Sequence, residues 1–173
     1  MLVRPAAPQD LPAIHSIYAH HVAHGLATFE EVAPEPGEMR RRFEDVTGQG
    51  LPYLVAADGR EVLGYGYCAL YRTRSAYRYT LEDSIYVKQG LHRKGVGRKI
   101  LEELVARSAA LGYRQMIAVI GDSANAASIG VHASVGFIRA GLLRSTGFKF
   151  GRWVDTVLMQ RPLGDGDGSK PAA

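Results

Sequence analysis

TLEDSIYVKQGLHRKGVGRKIL, Thr80 to Leu101, reads as a strand, a glycine-rich turn and the start of a helix. Strand alternation sends Thr80, Glu82, Ser84 and Tyr86 one way and Leu81, Asp83, Ile85 and Val87 the other. From Arg98 the pattern turns helical, with Ile100, Leu101, Leu104, Val105 and Leu111 on one side and Gly112 placed as the stop. At the junction Gly95 and Gly97 take side chains away. Unpaired backbone N–H groups of the first helical turn can therefore converge on one anion, helped by the helix dipole. Two better-known phosphate cradles do not fit. After Gly90, four residues and Gly95, a P-loop needs Lys and then Ser or Thr, but Val96 and Gly97 stand there, and the third glycine of a dinucleotide fingerprint would fall at Ile100. The same residues also read as a tightly packed helix start with a solvated basic face.

Working outward, Val3 and Arg4 form a short strand, and Leu11, Ile14, Ile17, Tyr18 and Val22 recur at helical spacing until Gly25. A second helix carries Met39, Phe43 and Val46 to Gly48. LPYLVAA and EVLGYGYCALY flank Asp58-Gly59 as a β-hairpin. After the Thr80–Leu101 unit, QMIAVI is a buried-type strand, Asn125 to Val135 a helix, and FIRAGLL and RWVDTVLMQ closing strands. Strands first joined by hairpins and then through helices predict a mixed α+β sheet flanked by helices. The expectation is one domain over 1–163, with 164–173 a disordered tail.

Composition sets bounds. The chain has 173 residues, 46% hydrophobic and 22% charged, which is enough to bury a core without a disulfide or metal staple. The single Cys68 and the absence of a long apolar run predict a cytoplasmic protein with no membrane partner. A formal charge of +4 suits an anionic ligand. Arg40-Arg41-Arg42 is split around its helix by the 100° step, so it reads as a solvated face, and no nucleic-acid partner is expected. His20 and His24 have the i, i+4 spacing of metal ligands, but no Cys, Asp or Glu completes the set, so no metal is expected.

Two other sites carry chemistry. Glu82 lies on the polar side of its strand a few residues before the glycine turn, where a carboxylate could take a proton from an ammonium; pairing with Arg72, Arg74 or Arg78 is its ordinary alternative. Asp83 is expected on the opposite side and is not the base. In NAASIGVHASVGF, residues 125, 128, 129 and 132 share one helical face that could line a groove. Cys68 reads as a packed strand residue.

His92-Arg93-Lys94-Gly95-Val96-Gly97 resembles the pyrophosphate loop of the GNAT family of N-acetyltransferases, with His92 where Gln or Arg is usual, and Asn125, Ser128, His132, Gly136 and Phe137 fall on that family's second motif. ATFEEVAPEP, YRTRSAYRYTLEDSIYVKQG, HASVGF and TGFKFGRWVDTVLMQ are similar to its phosphinothricin and methionine-sulfone N-acetyltransferase subgroup, over about Arg4 to Arg161. The resemblance implies acetyl-CoA as co-substrate, held by Ile85, Tyr86, Val87, Arg93, Lys94, Gly95, Val96, Gly97, Arg98, Asn125 and Ser128. It implies an amino-acid-like acceptor near Phe29, Arg72, Thr73, Arg74, Glu82, Asp83 and Ser84, with Glu82 and His132 catalytic, and a homodimer. Acetylation of a peptide or antibiotic amine, or acyl-CoA binding without catalysis, are the alternatives.

Overall fold

Residues 1–91 and 93–171 are described in the computed structural model of the chain. The strands are β1 (Leu2–Pro5), β2 (Tyr53–Asp58), β3 (Glu61–Leu70), β4 (Thr80–Val87), β5 (Gln115–Gly121), β6 (Ile138–Lys149) and β7 (Arg152–Pro162). The helices are α1 (Leu11–His24), α2 (Pro36–Gly48), α3 (Val96–Ala110) and α4 (Ala126–Ser134). All seven strands form one sheet in the order β1-β2-β3-β4-β5-β7-β6, antiparallel throughout except for the central β4–β5 pair. That is the mixed α/β architecture expected.

Binary patterning explains the layers. On β3, Tyr65 and Tyr67 stack with Tyr53 of β2 beneath α1 and α2. The alternate residues Gly64 and Gly66 leave the other face bare, where an added Cβ on Gly66 would lie 2.7 Å from Ile100. Helix α3 thus beds directly on β3, and Ile100, Leu101 and Leu104 are fully buried there. The first helix is tied to β1 by Arg4, whose guanidinium donates to both carboxylate oxygens of Asp10 at 2.7 and 2.8 Å. Those bonds hold the Asp10 carboxyl below its ordinary range.

One feature of the sheet creates the site. The parallel β4–β5 ladder joins Thr80–Asp83 to Gln115–Ala118. Past that register β4 continues to Val87 and β5 to Gly121, so the two strands part and a cleft opens between them.

Two local readings differ from the sequence pattern. Helix α3 starts at Val96 rather than Arg98, because Gly95 at φ 76° closes the turn two residues earlier. Strand β6 does not end at Leu143 but runs to Lys149; the Asp155 carboxylate accepts from the Ser145 amide at 2.9 Å and absorbs the register shift between Leu143 and Gly147. From Gly164 the chain is wound into turns to Asp167 and bends through Ser169. Arg114 holds it there by donating to Gly166 O, Ser169 Oγ and Lys170 O. Among the described residues no helix is long and apolar enough to cross a membrane.

Candidate active site

The cleft between the parting strands is lined by Asp83, Ser84, Ile85 and Tyr86 of β4, by Ala118 to Gly121 of β5, by Ala27, and by Asn125, Ser128 and His132. Seven residues singled out in the sequence therefore meet on one surface: Asp83, Ser84, Ile85, Tyr86, Asn125, Ser128 and His132. The Tyr86 ring is committed to the other face, edge-on to Tyr18 with centroids 5.0 Å apart. What it offers the cleft is main chain. Asn125 caps α4, its Oδ1 accepting from the Ser128 amide at 3.1 Å, so it sets the pose of the helix that carries His132.

At the outer end of β4 the chain winds through three residues at positive φ, Gly90, Arg93 and Gly95, into the N-terminus of α3. His92 lies outside the described residues. Gly97 sits against the end of β4, where an added Cβ would be 3.4 Å from Val87. The first-turn N–H groups of α3 have no intrahelical acceptor, and no side chain at 95 or 97 covers them. Arg93, Lys94 and Arg98 are exposed around this end. A phosphate group fits this arrangement in charge and in shape.

His132 and Asp83 form the cleft's buried wall, each 5% exposed. His132 Nδ1 lies 2.7 Å from Ser128 O, which can only accept, so Nδ1 carries a proton. Its Nε2 lies 3.0 Å from Asp83 Oδ2, so a second proton is shared between ring and carboxylate. Burial pulls the imidazole pKa down. The hydrogen bond and charge of Asp83, with the Ser128 carbonyl, outweigh it and hold the ring above its ordinary value. Phe137 packs edge-on to the ring at 5.1 Å. Among the described residues Asp83 Oδ1 is buried without a hydrogen-bond partner, which costs free energy on the order of 1–3 kcal/mol unless something in the cleft donates to it.

Glu82 is on the opposite face of β4, as alternation predicts, opposite Ala69 in the ladder. It makes no ion pair among the described residues, and the charge of Arg72 acts on it only at longer range. Half-burial and the neighbouring Asp83 charge push its carboxyl above the ordinary range, and Arg72 partly offsets this. Arg72, Thr73 and Arg74 are exposed on the β3–β4 connection, outside the cleft lining; Arg72 lies over the Tyr71 ring, and neither guanidinium reaches a carboxylate among the described residues. Phe29 is also outside the lining but touches its rim: an added Cβ on Gly121 would lie 3.1 Å from the Phe29 ring. Cys68 is fully buried, and burial pushes its thiol up to about 12, so it is no nucleophile at neutral pH.

The sequence reading missed the Asp83–His132 pair. The available signal was a carboxylate sharing its strand face with Leu81, Ile85 and Val87, since a charge on an apolar face needs a partner. Among the described residues no cluster of His, Cys, Asp and Glu could hold a metal ion.

Comparison with known proteins agrees with this geometry. The acetyltransferase (GNAT) domain model matches residues 3–158. A phosphinothricin N-acetyltransferase of Alcaligenes faecalis is 56% identical over 98% of this chain and 86% of its own. An L-methionine sulfoximine/L-methionine sulfone acetyltransferase of Pseudomonas aeruginosa is 39% identical, covering 93% of this chain and 94% of its own. The crystal structure of a phosphinothricin acetyltransferase from Sinorhizobium meliloti in complex with AcCoA superposes with a TM-score of 0.95 at 49% identity, covering 99% of this chain and 92% of that one. The chain belongs to the GNAT family of acetyltransferases.

Proposed function

We propose that the protein moves the acetyl group of acetyl-CoA to the α-amino group of a small amino-acid analogue such as phosphinothricin, methionine sulfoximine or methionine sulfone. The observation that carries this reading is the parting of β4 from β5 next to the uncovered N-terminus of α3. Together these give a strand edge for an amide-bearing arm and an amide cradle for its diphosphate. In the reading, main chain at Ile85, Tyr86 and Val87 pairs with the pantetheine arm, and the segment Arg93, Lys94, Gly95, Val96, Gly97 and Arg98 takes the phosphates. Asn125 and Ser128 fix the helix on the far side. Arg72 and Arg74, with Thr73, meet the acceptor's carboxylate, for which the guanidinium fork is suited. Phe29, Ser84 and Asp83 face the acceptor.

Glu82 takes a proton from the acceptor ammonium, directly or through one water, and frees the lone pair. The amine nitrogen forms its bond to the thioester carbonyl carbon, the carbon–sulfur bond breaks, and the nitrogen gives its second proton to water as the amide forms, the water that later returns a proton to the His132–Asp83 pair. The departing thiolate receives the proton shared by His132 and Asp83, whose carboxylate keeps the ring protonated until then. A thiol leaving group of pKa about 8.5 needs only modest help, so the juxtaposition of amine and thioester supplies most of the rate.

We also assign the protein to the cytoplasm and to a homodimer. Support for the dimer is the β6–β7 hairpin at the sheet edge, where Leu143, Phe148, Phe150 and Trp153 are exposed together.

Thiol release from acetyl-CoA, measured with phosphinothricin, methionine sulfone, a peptide and an aminoglycoside, tests the function. Turnover with the first two at far higher kcat/KM is expected. Preference for the peptide or aminoglycoside would replace the substrate class, and acetyl-CoA binding without turnover on any amine would replace catalysis by binding.

A further inference from the structure

The TGFKFG segment, Thr146 to Gly151, has no task in the chemistry above. It forms the end of the β6–β7 hairpin, where Lys149 pairs with Arg152 across Phe150 and Gly151, both at positive φ. The Lys149 side chain turns inward. It is 1% exposed, and its ammonium donates to Gly25 O and Thr28 O, each at 2.9 Å. Those carbonyls belong to the connection between α1 and α2, more than a hundred residues away in sequence. Among the described residues no carboxylate lies within ion-pair distance of Lys149, so a desolvated charge is held by two main-chain carbonyls and the Phe150 ring 5.0 Å away, with Glu30 and Glu31 acting only at longer range.

The same connection is held at further points, among them the Arg42–Glu30 ion pair at 2.7 Å. Tyr18 Oη and Thr28 Oγ1 are 2.9 Å apart, and the Glu30 amide donates to Thr28 Oγ1 at 3.3 Å. An added Cβ on Gly121 would meet Leu26 O at 2.1 Å, and one on Gly147 would meet the Phe29 ring at 2.4 Å. Two glycines from different strands thus form a floor into which the Leu26–Phe29 backbone and the Phe29 ring are pressed. Both Gly121 and Ala27 line the cleft.

We propose that Lys149 is a positioning residue for the acceptor side of the site: its ammonium, with Gly121 and Gly147 as the floor, fixes the Gly25–Glu30 connection so that Phe29 stands as a rigid wall at the cleft rim. The proposal rests on the acceptor binding beside Phe29, as the functional reading holds. Lys149 touches no reacting atom and acts through the connection it holds.

Lys149→Met keeps the length and removes the donors; Gly147→Ala keeps the ammonium and displaces the Phe29 ring. Two measurements decide. Hydrogen exchange of the substrate-free protein reads the connection itself, and steady-state kinetics read its consequence. In Lys149→Met the amides of residues 26–30 exchange faster, the acceptor KM rises on the order of ten- to hundredfold, and the acetyl-CoA KM stays within about twofold. In Gly147→Ala, which disturbs the floor under Phe29, the acceptor KM rises as well. Unchanged exchange or an unchanged acceptor KM in Lys149→Met overturns the proposal. A parent protein that acetylates no amine would sink the functional reading, and the exchange comparison would still show whether Lys149 fixes the connection. Should Lys149→Met not fold, Lys149→Gln takes its place in the same two measurements, with the same outcomes deciding.

Discussion

Glu82 and Asp83 are neighbours in sequence with opposite surroundings, and the difference decides their work. Glu82 is half-buried beside an arginine segment and raised mainly by burial, which suits a group that must take up a proton near neutral pH. Glu82→Gln should lower kcat by roughly 10²–10⁴-fold, most severely at low pH, with acetyl-CoA affinity kept. Because Arg72 opposes the rise and Asp83 adds to it, the acid limb of kcat/KM should move up in pH in Arg72→Ala and down in Asp83→Asn. A limb that stays put in both variants removes Glu82 from the mechanism. Asp83 has a structural signature as well. His132 is held above its ordinary value, so the stability contributed by the pair is fully present below about pH 6.5 and is lost as pH rises through the folded value. Thermal unfolding against pH should show that loss in the parent, and Asp83→Asn should abolish it. Removing the carboxylate altogether in Asp83→Ala should cost roughly 3–5 kcal/mol, as is usual for breaking a buried pair from one side.

At the scale of elements, the junction of β4 with α3 was legible because its signals are local. The alternation of Thr80 to Val87, the glycines at 95 and 97 and the apolar stripe of α3 each lie within one turn or strand. Gly95 stands at φ 76°, where a Cβ is strained. Gly95→Ala should therefore destabilise the protein by about 1–2 kcal/mol and raise the acetyl-CoA KM, leaving the acceptor KM near its parent value; an unchanged acetyl-CoA KM would separate the cradle from the diphosphate. What the sequence hid is non-local. The Asp83–His132 bond spans 49 positions and the Lys149–Gly25 bond 124, and no periodicity reports a contact at that distance. The run of β6 past Leu143 was hidden for a related reason: the Asp155 carboxylate and Thr156 hydroxyl that hold Ser145 and Thr146 in place come from another strand.

The whole molecule is a sheet built to come apart in one place. Hairpins on one side and the β5–β7–β6 unit on the other are joined by a parallel ladder over only Thr80–Asp83 and Gln115–Ala118, and the cleft is what remains beyond it. The same construction leaves β6 at an edge with Phe148 and Trp153 packed against each other and exposed, 5.2 Å between centroids. If that face is the dimer contact, Trp153→Lys should shift the sedimentation equilibrium towards monomer with the fold intact by circular dichroism, whereas an unchanged mass would place the contact elsewhere. The mixed sheet, its flanking helices and most of the cleft lining could be read from the chain itself. The tie that Arg114 makes to the last turns could not, because glycine-rich polar segments look alike whether or not a distant guanidinium holds them. The most direct test of the account is the structure with acetyl-CoA bound: the diphosphate should lie on the amides between Arg93 and Arg98 with the sulfur beside the Asp83–His132 pair, and phosphates seated away from Gly95 and Gly97 would contradict it.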